Sequence, residues 1–191
     1  MDTTRPSLLV RLKDNRDAVA WGEFDAIYRP MLHRFARRFG ADAPEAEDIV
    51  QHCMTAVHEH ISSFDYDPEK GRFKSWLRTL VNNRMRNLLR RRRERRAESG
   101  DLRELRSPDA NPEEVFERIW MDEHLKHCLC LVSADVEERT FRAFQYYVIE
   151  ERPIEEVCRE LEMTPNQVHK SKYRLTKKLS EKMTELLGDQ E

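Results

Sequence analysis

An all-helical protein of two small domains is the fold class that the sequence predicts, on three observations. Large apolar residues recur at steps of three and four along nearly the whole chain, and no segment sustains the period-two alternation of a half-buried strand. Between the two helical stretches, residues 97–112 (AESGDLRELRSPDANP) hold Gly100, Pro108 and Pro112 and few large apolar groups. That composition suits a flexible linker, so one domain is expected over residues 1–96 and a second over 113–191.

The elements follow in order. Pro6 opens a short helix carrying Leu8, Leu9 and Leu12. Trp21, Phe24, Ile27, Tyr28, Leu32, Phe35 and Phe39 then recur at helical steps, with Pro30 expected to kink or restart the helix and Gly40 to end it. Asp42 or Ala43, followed by Pro44, Glu45, Glu47 and Asp48, reads as a helix start, because proline suits the first turn and carboxylates suit the positive end of the dipole. Ile49, Val50, Cys53, Met54, Val57 and Ile61 form its stripe. The segment Phe64–Gly71 breaks the pattern, which resumes with Phe73, Trp76, Leu77, Leu80, Val81, Met85 and Leu88 and runs into arginines 90–96. Further helices are predicted at 113–131, 136–149, 153–161 and 165–187.

Composition narrows the function. Of 191 residues, 37% are charged, and the net charge of −2 conceals an asymmetry: residues 1–100 carry 20 Lys+Arg against 15 Asp+Glu, and the rest carry 14 against 21. Positive charge gathers at 84–96 and 170–182, where a polyanion could meet both. Apolar runs fall far short of the ~20 residues that cross a bilayer, and the N-terminus lacks a signal-peptide layout, so a cytoplasmic protein without membrane insertion is expected. The five glycines lie too far apart for a phosphate-cradling loop, and the four cysteines suggest reduced thiols. No motif or isolated carboxylate pair suggests catalysis, so the chain is read as a non-enzyme without cofactors.

The most informative motif is residues 153–179, PIEEVCRELEMTPNQVHKSKYRLTKKL. A short amphipathic helix beginning at Pro153 carries Ile154, Val157, Cys158 and Leu161; Thr164 then caps a second helix that opens with Pro165. Glu162 and Met163 occupy a turn that often carries glycine. Val168, Lys172, Leu175 and Leu179 are expected to face inward, Lys172 by its methylene stem. The opposite face presents Asn166, Lys170, Tyr173, Arg174 and Lys177, flanked by Gln167 and His169. Amides and cations there suit the major groove of DNA, where early residues of a recognition helix read base edges and later cations meet phosphates. The plainer alternative is a solvated charged face on a helical hairpin.

The N-terminal half sharpens the choice. Glu45-Ala46-Glu47-Asp48-Ile49-Val50-Gln51, followed after a loop by residues 71–86 (GRFKSWLRTLVNNRMR), resembles the second region of bacterial RNA polymerase sigma factors of the extracytoplasmic-function (ECF) type, in the sigma-70 family. The helix-turn-helix at 153–179 sits where the fourth sigma region falls. The resemblance covers about residues 7–96 and 113–185. It implies a sigma region 2-like helical bundle over 1–96 and a region 4-like helix-turn-helix domain over 113–191. His52 and the pair Val157-Cys158 depart from the pattern of that type.

The resemblance further implies roles by position. Glu47, Asp48, Ile49 and Gln51 would dock on RNA polymerase core. Residues 64–73, with Arg78, Asn82, Asn83 and Arg86, would capture a flipped base of the minus-ten element, with Tyr66 as the exposed aromatic of the loop. The 153–179 unit would read the minus-thirty-five element. Promoter DNA and core polymerase are therefore the expected partners, and the resemblance also allows an anti-sigma factor. Eight arginines between Arg84 and Arg96 would add phosphate attraction without sequence choice.

Two rival readings remain. A free-standing helix-turn-helix regulator would share the C-terminal motif but leave residues 45–51 and 71–86 without a role. A metal-dependent hydrolase would use His124, His127, Cys128 and Cys130. On a continuous helix the first three share a face, while Cys130 points roughly 160° from Cys128, so no metal site is expected and Cys128 should be a core residue facing Leu125, Leu129 and Leu131.

Overall fold

The computed structural model of the chain describes residues 6–63, 72–99 and 111–187, and among them every regular element is helical. The helices are α1 (Pro6–Leu12), α2 (Ala18–Arg38), α3 (Ala43–His60), α4 (Arg72–Ser99), α5 (Pro112–Ala134), α6 (Glu138–Phe144), α7 (Ile154–Leu161) and α8 (Pro165–Leu187). A 3-10 turn at Ile61–Ser63 follows α3, and a π-helical stretch at Gln145–Ile149 follows α6. No helix among the described residues is long and apolar enough to cross a membrane. The chain forms two compact units, the first extending to Glu123 and the second beginning at His124.

In the first unit, α2 supplies the central stripe. Phe24, Ile27, Tyr28, Met31, Leu32 and Phe35 are all buried, and α1, α3 and α4 pack around them. Asp17 caps α2 by accepting from the Ala20 amide at 2.9 Å, and the Arg11 guanidinium in turn grips Asp17, holding its carboxyl below the usual range with help from the Ala20 bond. A restart of α2 at Pro30, one of the two outcomes expected there, does not occur. The helix runs through it, because buried side chains on both sides tie the two halves to one core, and Pro30 itself faces solvent. At the far end Gly40, at φ 87°, closes a Schellman motif: its amide donates to the Arg37 carbonyl and that of Ala41 to Ala36, both at 3.1 Å. Asp42 then caps α3 in a full capping box with Glu45.

The start of α5 belongs to this unit. Phe116, Ile119 and Trp120 are buried, Phe116 lying 5.7 Å from the Phe35 ring and Trp120 5.4 Å from Tyr28. Residues 100–110 lie outside the described residues, while α4 continues to Ser99.

In the second unit, Ala143, Val157, Leu161 and Val168 form one core cluster, and Val132, Phe144 and Leu175 another. The inward side of α8 differs from the expected one: Ser171, not Lys172, is the buried position between Val168 and Leu175. A serine fits there because its hydroxyl donates to the Gln167 carbonyl at 3.0 Å, leaving no polar atom unsatisfied. Lys172 is exposed and lies over the Tyr147 ring, 5.4 Å from its centroid.

Trp120 is the largest fully buried side chain, so Trp120→Ala is expected to destabilise the protein by about 3–5 kcal/mol in chemical denaturation, against near neutrality for the exposed Met121→Ala.

Candidate nucleic-acid interface

In the second unit α7 ends at Glu162, which takes the left-handed conformation (φ 50°, ψ 45°), and the Met163 amide donates back to the Cys158 carbonyl at 2.9 Å. The next helix starts on a reciprocal pair. The Gln167 amide nitrogen of the backbone donates to the Thr164 hydroxyl at 3.3 Å, and the Gln167 side-chain oxygen accepts from the Thr164 backbone at 2.8 Å. Two helices therefore meet through a short turn, with α8 leaving one side open.

That side carries Asn166, Lys170, Tyr173, Arg174 and Lys177, all exposed, Tyr173 at 73%. Gln167 is exposed as well, but its side-chain oxygen belongs to the cap. His169 is exposed and packs edge-on against Tyr147 at 5.5 Å. Beside this face lies a cleft of about 260 Å³ between α6 and α8, lined among others by Arg139, Thr140, Gln167, Lys170 and Arg174. One aromatic, one amide and three cations thus stand on one solvent face, in the mixture that reads base edges and holds phosphates.

In the first unit, α4 places Asn83 and Arg86 in solvent, with the Arg86 guanidinium 3.5 Å from the Asn83 side-chain oxygen, and leaves Asn82 half-buried. Arg78 is half-buried and lies 3.7 Å from Glu113 and 3.8 Å from Glu117 on α5. Lys74, one turn before it, donates to Glu117 and sits 5.5 Å over the Trp120 ring. Phe73 is a core residue, and Trp76 is half-buried against Phe73 and His60. Tyr66 and Phe64 lie outside the described residues.

The arginine run at the end of α4 is not uniform. Arg92 donates from Nε to Glu45 at 3.0 Å, binds the same carboxylate again through Nη2, and donates from Nη1 to the Gly40 carbonyl at 2.9 Å. This residue braces the α2–α3 connection, a role that its place among eight arginines does not signal. Arg90, Arg91, Arg93 and Arg95 are exposed.

On α3, Glu47, Asp48 and Gln51 are exposed, and Glu47 pairs with Arg29 at 2.9 Å. Ile49 is a correction to the expected docking surface. It is buried at 5%, because it shares the inward stripe with Ala46, Val50 and Cys53.

Residues 26–95, from mid-α2 through the arginine run, match the model of sigma-70 region 2. The chain matches that family model over well under half of its length. It is similar to the ECF RNA polymerase sigma factor RpoE of Cereibacter sphaeroides, 29% identical over 57% of each chain. It is also similar to the ECF RNA polymerase sigma factor SigE of Mycolicibacterium smegmatis, 25% identical over 51% of this chain and 37% of that one. The chain therefore spans about half the length, or less, of these relatives. The matched region contains both the acidic surface of α3 and the polar face of α4.

The cysteines of α5 stand apart. Cys128 is fully buried and Cys130 is exposed two residues later, while Leu125 and Leu131, expected to pack with Cys128, face solvent; the inward stripe is His124, Cys128 and Val132. On α3, burial pushes the Cys53 thiol up to about 12, and the charge of Arg84 acts weakly the other way. Alkylation of the native protein near pH 8 should therefore modify Cys130 first and reach Cys53 and Cys128 only on unfolding. Mass spectrometry of time-resolved labelling checks this, and fast native modification of Cys53 would contradict the packing of α2 on α3.

Proposed function

We propose that this protein binds RNA polymerase core and directs it to promoters, reading upstream duplex DNA with α8 and assisting strand opening with α4. The observation that carries the reading is the presence on one chain of a sigma-70 region 2 and a capped helix-turn-helix with a cationic, aromatic outer face. The protein is then not itself an enzyme but a specificity factor for one. Two relatives bearing the name ECF RNA polymerase sigma factor support the same reading.

In this scheme residues 1–96, with the start of α5 packed in the same unit, meet core and the minus-ten element, residues 97–112 connect, and the minus-thirty-five reader lies within residues 113–191. Glu47, Asp48 and Gln51 offer hydrogen-bond acceptors and charge to the polymerase. On α8, Asn166, Lys170, Tyr173 and Arg174 address bases while Lys177 addresses phosphate, with Gln167 and His169 at the margin. On α4, Asn82, Asn83 and Arg86 hold the extruded strand, together with Tyr66 from the preceding segment. Arg78 joins them only by leaving Glu113 and Glu117, two partly exposed pairs that each contribute about 1 kcal/mol or less.

Two experiments test the reading. Asp48→Arg combined with Gln51→Ala should abolish capture of the protein by core polymerase in a pull-down; retention at the wild-type level would favour a free-standing regulator. In footprinting of promoter complexes, Lys170→Ala or Arg174→Ala should weaken upstream DNase protection by about 1–3 kcal/mol per lost base contact. Asn83→Ala should preserve that protection yet reduce permanganate reactivity in the bubble. Normal melting with Asn83→Ala would remove the role given to α4.

A further inference from the structure

The turn between α7 and α8 bears a feature that the proposed DNA reading does not use. Glu162 adopts a positive φ of 50° without being glycine, a conformation that crowds its Cβ against the backbone. A turn of this kind springs back unless its surroundings hold it. The holding group comes from another helix: Arg139, in the first turn of α6, donates from Nε to the Leu161 carbonyl at 2.8 Å and from Nη2 to the Glu162 carbonyl. These carbonyls lie at the end of α7, where helical geometry leaves oxygens without donors.

We propose that Arg139 is a positioning residue for DNA reading: by bridging Leu161 and Glu162 it fixes the left-handed turn and so sets the direction in which α8 leaves α7. The inference rests on α8 being the reader. The planar fork of a guanidinium suits the task, since two N–H groups at fixed spacing meet two successive carbonyls, which the point charge of a lysine does not reproduce. The same side chain lines the cleft shared with Lys170 and Arg174, so a direct phosphate contact is the alternative that the test must separate.

The test uses the full chain and a duplex selected by the wild-type protein from a random-sequence pool, with affinity measured across a salt series and folding followed by circular dichroism. Arg139→Gln should weaken the duplex about tenfold, the effect of one good base contact, with the slope of affinity against salt unchanged. Arg139→Lys should bind as weakly as Arg139→Gln. Glu162→Gly, which removes the need for the brace, should restore most of the affinity in either Arg139 background and leave the otherwise wild-type chain nearly unaffected.

Wild-type affinity in Arg139→Lys, or a salt slope lowered by about 0.9 in Arg139→Gln, would assign Arg139 to phosphate instead and overturn the proposal. Failure of Glu162→Gly to restore binding in a folded Arg139→Lys chain would overturn it too. If Lys170→Ala and Arg174→Ala leave the duplex bound as tightly as wild type, the assignment of α8 as reader fails. If they weaken binding and Arg139→Gln does not, only the role of Arg139 fails.

Discussion

Every helix ends with carbonyl oxygens that have no donor within the helix, and leaving such a group buried and unpaired costs about 1–3 kcal/mol. Among the described residues, the α2–α3 and α7–α8 connections are closed by arginine side chains. Arg92 reaches from α4 to the Gly40 carbonyl and to Glu45, closing the α2–α3 connection. Arg37 donates to the Ala41 carbonyl at 2.8 Å within that same connection. Arg139 reaches from α6 to the end of α7. Each brace also lies at a helix start: the α2–α3 turn leads into the acidic helix, and the α7–α8 turn leads into the cationic one.

A chain with 37% charged residues and two small cores divides its cations between such structural duties and open surface. In the first unit the acids at the start of α5 engage much of the basic surface. Lys74 and Arg78 meet Glu117, and Arg34 meets Asp122 and Glu123 at 2.9 and 3.0 Å. Phe116 and Trp120, buried beside Tyr28 and Phe35, hold these acids in place, and the apolar burial is the larger contribution. Asn83, Arg86, Arg90, Arg91, Arg93 and Arg95 are left in solvent on α4.

Much of the fold was legible in local signals. Asp42 with Glu45, Thr164 with Gln167, and Gly40 at the end of α2 each mark a helix boundary through chemistry that involves residues three or four apart, so the sequence alone discloses it. Periodicity likewise identified the stripe of α2. It failed where the inward arc could be read one residue either way: Ser171 rather than Lys172 on α8, and Val132 rather than Leu125 and Leu131 beside Cys128 on α5. Ile49 shows the same limit from the other side, since a run that resembles a docking surface also contains the residue that anchors its helix.

The sequence by itself determined the helical class, most helix starts, the composition of the α8 face and the likeness of residues 45–51 and 71–86 to a sigma region 2, because these depend on neighbours along the chain. Tertiary structure alone decided which arginines are braces. Arg92 and Glu45 are 47 residues apart, and Arg139 lies 22 residues before the Leu161 carbonyl that it holds. It also decided that the start of α5 packs with α2, placing Glu117 beside Lys74 across 43 residues. An ion pair or a guanidinium–carbonyl bond needs only distance and angle, and residue spacing encodes neither once the partners lie on different helices.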